Sequence, residues 1–127
     1  MKKLVLIFTS LVFASSLLLA QDVTDDVISA FQEGDANQLS NYFNSNVELI
    51  YDGPGKIYNK NQAGMIMKDF FSKNNPTQFS KIHEGNKDSS VFLIGNLTTS
   101  GNSFRVSILM KKTGTQFLIH QIRIQDV

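Results

Sequence analysis

Apolar positions along the chain change texture part-way. Val23, Val27, Ala30 and Phe31 recur at helical spacing, with Ile28 beside them, and predict a first helix over 22–33. Asp22 or Thr24 is placed to cap its start, Asp25 and Asp26 suit its positive end, and Gly34 is a natural stop. Asp35 and Gln38 have capping-box spacing and open a second, short helix whose stripe is Leu39, Tyr42 and Phe43. Val47 to Tyr51 reads as a strand, Asp52-Gly53-Pro54-Gly55 as a loop, and Lys56 to Tyr58 as a short returning strand. Asn59 and Gln62 repeat the capping-box spacing. Ala63, Ile66, Met67, Phe70 and Phe71 then give the strongest helical pattern in the chain, ended by Asn74-Asn75-Pro76.

Beyond Phe79 the periodicity shifts to strands. Runs at 79–84, 90–98, 103–111 and 116–125 are rich in β-branched and aromatic residues. Turn clusters at Gly85-Asn86-Lys87-Asp88, Ser100-Gly101-Asn102 and Thr113-Gly114 separate them. Short turns between such runs predict an antiparallel meander. Three helices followed by a meander give an α+β class: N-terminal helices packed on one face of a curved antiparallel sheet that forms a cone. The mouth of such a cone is a place for a small ligand.

The start of the chain carries an address. Met1-Lys2-Lys3 is basic, Leu4 to Leu19 is uncharged and apolar or small, and Ala20-Gln21 offers a small residue at a break. This is the layout of a secretory signal peptide over 1–20, leaving one domain over 21–127 in the periplasm or outside the cell. An earlier cut after Ser16, or an uncleaved anchor, is the alternative reading. The apolar run falls short of the ~20 residues of a spanning helix, so no stable membrane span is expected once the signal is removed. The whole chain of 127 residues carries +1, but losing Lys2 and Lys3 leaves ten basic residues against eleven acidic ones, a net −1. Neither balance suggests nucleic acid as a partner. With no Cys there is no disulfide framework, thiol nucleophile or thiolate metal site, and no His or carboxylate spacing supports another metal or a cofactor.

The domain resembles the nuclear-transport-factor-two-like superfamily, which also contains ketosteroid isomerases and polyketide cyclases, and within it small secreted bacterial members of an uncharacterised family. The resemblance rests on element order across residues 22–127. It also rests on Ala30-Phe31, Gly34-Asp35, Leu39 and Phe43, Val47 to Leu49, Phe70-Phe71 and the closing strand Phe117 to Ile122. It implies a cystatin-like cone. The isomerase mechanism does not carry over: Val27 stands near the position of the hydrogen-bonding Tyr, and Leu49 follows Val47-Glu48 where a general-base Asp is needed. Fold membership by itself assigns no activity.

Five residues remain as ligand-binding candidates, and none as catalytic. His120 shares a period-two face with Leu118, Ile122 and Ile124, which points it to the core or the cone. The commoner role there is a core histidine bonded to backbone or to Tyr. His83 is expected on the face of Phe79 and Lys81, with Glu84 on that of Ile82. Tyr51 and Tyr58 bracket the Gly-Pro loop as a rim or lid. Arg123 shares a face with Gln121 and Gln125, with Phe117 and Ile119 in the same alternation. Together with Arg105 it places a cation on the outer sheet face. The strand carrying Val91, Phe92, Leu93, Ile94 and Leu97 is apolar on both faces, so its outer face is covered by a second copy or by the chain's own loops. The function that follows is an exported, non-catalytic module for a small amphipathic ligand or a protein partner. The alternative is an isomerase, cyclase or hydrolase using His120 or His83.

Overall fold

The computed structural model describes residue 20 and residues 22–127. The signal-peptide reading of 1–20 therefore lies outside the described residues apart from Ala20. No helix among the described residues is long and apolar enough to cross a membrane.

Helix α1 (22–33) buries Val27, Ala30 and Phe31. Ala20 is already helical, and the Thr24 hydroxyl donates back one turn to the Ala20 carbonyl at 3.0 Å. Thr24 is thus an interior helix residue and not the cap expected of it. The helix closes with Asp35 N–H on the Ala30 carbonyl and Gly34 N–H on that of Phe31, the paired bonds of a Schellman ending. Helix α2 (Ala36–Ser40) is capped by the Asp35 carboxylate on the Gln38 N–H. It is shorter than its apolar stripe predicts, because Tyr42 lies in the turn that follows and Phe43 begins the next strand.

Strand β1 (Phe43–Tyr51) pairs antiparallel with the short β2 (Lys56–Asn59). Asn59 then caps α3 (Lys60–Lys73) with both bonds of the predicted box in place. The meander follows as β3 (Pro76–Lys87), β4 (Ser90–Thr99), β5 (Ser103–Thr113) and β6 (Gln116–Asp126). The strand β3 runs through the expected Gly85–Lys87 turn. The reversal is made instead by Asp88 and Ser89 alone, both at positive φ as a type I′ hairpin requires.

The sheet order is β2-β1-β6-β5-β4-β3. All pairs are antiparallel except β1 with β6, which run parallel, so the sheet is mixed. That pairing brings the first strand beside the last and makes one curved, unclosed sheet. Helices α1 and α3 cover one face, where Phe31, Met67, Phe70, Phe71, Phe79, Leu93, Leu97, Phe104, Ile108, Met110, Ile119 and Ile122 form the core. Rings meet edge-on, Phe31 with Phe71 at 5.6 Å and Phe70 with Phe104 at 5.2 Å between centroids. Each such ring removed from water contributes roughly 1.5–3 kcal/mol. These rings occupy the space inside the curve.

Two β-bulges reset the faces that alternation predicts. In β6, Met110 pairs with Ile119 but Leu109 pairs with Gln121, so His120 is an extra residue. Phe117 and Ile119 therefore share the core face with Ile122 and Ile124, while Leu118 lies outside and His120 is not in the row of Ile122 and Ile124. The same bulge separates Arg123 from Phe117 and Ile119. In β3, Lys81 pairs with Gly95 and His83 with Ile94, so Ile82 is extra. His83 thus lies on the face opposite Phe79 and Lys81. Glu84 joins Lys81 instead of Ile82, and the two form a 3.2 Å ion pair.

Candidate functional site

The largest cleft described forms where the 52–55 loop folds over the outer face of β1 and β6. It measures about 610 Å³ and is open to solvent. The chain reaches it through Asp52 at φ 51 and Gly53 at φ 139. A left-handed aspartate costs of order 1 kcal/mol and is held by its surroundings. Gly55 then lies directly on β1: a Cβ there would stand 2.7 Å from the Ile50 side chain and 2.8 Å from Glu48 Oε2. Only glycine lets the loop approach this closely.

Four charged side chains line the cleft: Glu48, Asp52, Asp126 and Arg123. Glu48 is half-buried and fixed in place, its Oε1 accepting from Gln121 Nε2 at 2.6 Å. Arg123 is exposed and makes no ion pair among the described residues. Tyr51 closes the core at this end. Its ring lies edge-on to Phe70 at 5.3 Å and to Phe104 at 6.1 Å, yet the residue remains 45% exposed. Burial, then the charges of Asp126 and Asp52, push its phenol above the usual range, against a smaller opposing effect of Lys73. Tyr51 is therefore a neutral phenol with an apolar body, near the carboxylates of Asp126 and Asp52.

A second cleft of about 290 Å³ lies on the other side of the loop, where Tyr51 and Tyr58 share a wall with Leu49, Lys56 and Ile66. Three of the five candidates thus gather about one loop. The histidines do not join them, and neither lines any of the five clefts described. His120 Nε2 is buried at the β6 bulge without a hydrogen-bond partner. Burial and then the Lys111 charge lower its pKa, which keeps the ring neutral. His83 is exposed on β3, close to the sheet edge. No cluster of three metal-ligating side chains is present among the described residues.

Sequence reasoning missed Glu48, Gly55 and Asp126 as site residues. Glu48 stood as one polar position in an alternating strand. Only the parallel β1–β6 pairing brings Gln121 and Arg123 to it. The signal available in the sequence was the Gly-Pro-Gly run, which marks a close backbone approach.

The six-stranded curved sheet with helices on one face is the NTF2-like fold. An NTF2-like protein of unknown function from Silicibacter pomeroyi superposes with a TM-score of 0.64 at 11% identity, over 91% of this chain and 98% of the other. Within that fold the chain belongs to the DUF4783 family, whose description is a domain of unknown function and which matches residues 24–125. A DUF4783 family protein from Bacteroides ovatus is 40% identical over 80% of this chain and 93% of its own, with a TM-score of 0.79. One from Bacteroides uniformis is 36% identical over 81% and 95%, with a TM-score of 0.78. No curated protein matches the chain.

Proposed function

We propose that the chain is an exported, non-catalytic binding module that holds a small amphipathic molecule in the cleft beside the 52–55 loop. The observation that carries this reading is a cleft of about 610 Å³ in which the unpaired Arg123 stands beside Ile50 on the outer sheet face, with Tyr51 also in its lining. Ile50 and Pro54 offer apolar surface and Arg123 a partner for an acidic group. The packed interior supports a surface cleft over a ligand inside the cone. Export rests on the basic and apolar pattern of residues 1–20.

The enzyme alternative, an isomerase, cyclase or hydrolase, needs a histidine in a cleft with Tyr, Asp or Glu within hydrogen-bond reach. His120 and His83 have no such side-chain partner among the described residues, so the weight falls on binding.

Native mass spectrometry of the chain purified from its own source tests both parts. The expected result is a polypeptide beginning at Gln21 with a bound mass that Tyr51→Ala and Arg123→Ala each weaken. A chain that still begins at Met1 removes the cleaved signal peptide. A bound mass indifferent to both substitutions, or no bound mass in any preparation, removes the cleft as the site.

A further inference from the structure

Helix α3 breaks two local rules on one of its faces. Gly64 stands inside its 14 residues, where only proline forms helix less well. Neither packing nor backbone conformation requires the glycine. A Cβ there would meet nothing closer than the Ser40 Cβ at 3.5 Å, an ordinary contact, and its φ is not positive. Lys60 stands in the first turn, where a cation opposes the helix dipole and no acidic side chain offsets it. Departures from local preference that the fold does not call for mark functional positions.

Both positions belong to one stripe. Lys60, Gly64 and Lys68 are spaced i, i+4 and i+8, so they stand one above another, about 6 Å apart along the axis. The stripe faces α2. Between the two helices lies a groove of about 240 Å³, lined by these three residues together with Asn37, Ser40 and Asn61. Among the described residues no carboxylate lines it. Neither lysine forms an ion pair among the described residues, whereas Lys73 of the same helix pairs with Asp69. The Ser40 hydroxyl donates to the Asn37 carbonyl at 2.9 Å, so the donors left for a ligand are two ammonium groups and the amides of Asn37 and Asn61. A floor without a side chain, with a cation one turn above it and another one turn below, is a seat for an oxyanion.

A cleft of about 360 Å³ continues from this groove, and the two share Asn37 and Lys68. Glu33 and Asp35 line its far end. Asp35 uses Oδ1 on the Gln38 N–H, which leaves Oδ2 as an acceptor. Carboxylates at that end repel a second anion and accept from hydroxyl groups. We infer that the α2–α3 groove binds a hydroxyl-rich oxyanion of the class of sugar phosphates and sugar sulfates. The oxyanion sits on Gly64 between Lys60 and Lys68, and the hydroxyls reach toward Glu33 and Asp35. This site is separate from the 52–55 cleft and does not depend on it.

Isothermal titration with glucose 6-phosphate, glucose 6-sulfate, inorganic phosphate and glucose tests the inference. One ester or both should bind about tenfold more tightly than inorganic phosphate, and glucose should not bind. The preferred ester tells which oxyanion the groove takes. Lys60→Gln and Lys68→Gln should each weaken the ester about tenfold, and Lys73→Gln should leave it unchanged. Gly64→Ala separates a ligand seat from a packing role. It should raise the melting temperature, because alanine is the better helix former, and still weaken the ester about tenfold by filling the floor. Binding of neither ester overturns the inference, and so does inorganic phosphate that binds as tightly as the esters. An ester whose affinity withstands Gly64→Ala and both lysine substitutions overturns it too. A Gly64→Ala chain that melts lower than the wild type would assign the glycine to packing and remove it as the seat.

Discussion

Phe79 on β3 lays its ring over Gly95 on β4, at the place where a side chain would otherwise stand. A Cβ at Gly95 would fall on the ring edge and 3.0 Å from the Ser80 carbonyl. The ring is 5.6 Å from that of Phe31, so it ties the outer hairpin to α1. This is the pairing by which an aromatic side chain restores the cover that a strand glycine lacks. Gly95→Ala is expected to cost about 1–3 kcal/mol through overpacking. In a Phe79→Leu background the cost should shrink, because the obstructing ring is gone. Urea unfolding of the four chains of this cycle measures the coupling. An equal cost in both backgrounds would show that the ring is not what glycine accommodates.

The α3 cap gives a second expectation. Asn59 accepts from the Gln62 N–H at 2.8 Å, and the Gln62 side chain accepts from the Asn59 N–H at 3.4 Å. Asn59→Ala should destabilise the fold by about 1 kcal/mol, and Asn59→Asp should retain most of it. Thermal melts of both variants check the order.

His120 makes stability depend on pH. Its folded pKa lies below the ordinary 6.5, so the unfolded chain takes up the proton more readily. The contribution of the neutral ring is complete above pH 6.5 and is lost as pH falls through the lower folded value. His120→Gln should flatten that part of the profile. Chemical denaturation at a series of pH values reads it, and an unchanged slope would assign the dependence to other groups.

Tyr42 has the opposite character. Its hydroxyl donates to Asp26 at 2.7 Å, and this bond, then burial, then the carboxylate charge push its pKa up to about 12. An absorbance titration should show one phenol ionising near that value. Asp26→Asn should bring it back toward 10.0, since both the charged acceptor and the repulsion are removed. Retention of the high value in Asp26→Asn would place its cause in burial alone.

Much of the fold was legible because its signals are local. Ala63, Met67, Phe70 and Phe71 announce α3 by spacing alone, and Asn59 with Gln62 announces its start. The four runs after Pro76 and their short turns announce the meander. The faces of His83 and His120 were not legible. Each lies beside or at a bulge, and one inserted residue reverses every later face in a period-two pattern. The outward position of Arg105 needed no bulge to be read, whereas Arg123 is separated from the buried Phe117 and Ile119 only by the bulge at His120.

By itself the sequence determined the helices, the hairpins, the apolar strands and the absence of thiol chemistry, since each depends on residues within a turn or two of one another. The tertiary structure alone decided that β1 runs parallel to β6, a pairing between segments more than seventy residues apart, as the Gln121–Glu48 bond illustrates. That pairing, with Gly55 pressed onto β1, gathers Glu48, Tyr51, Arg123 and Asp126 into one cleft. No local pattern encodes it. It follows from closing a long loop so that both strands bury their inner faces against the same helices.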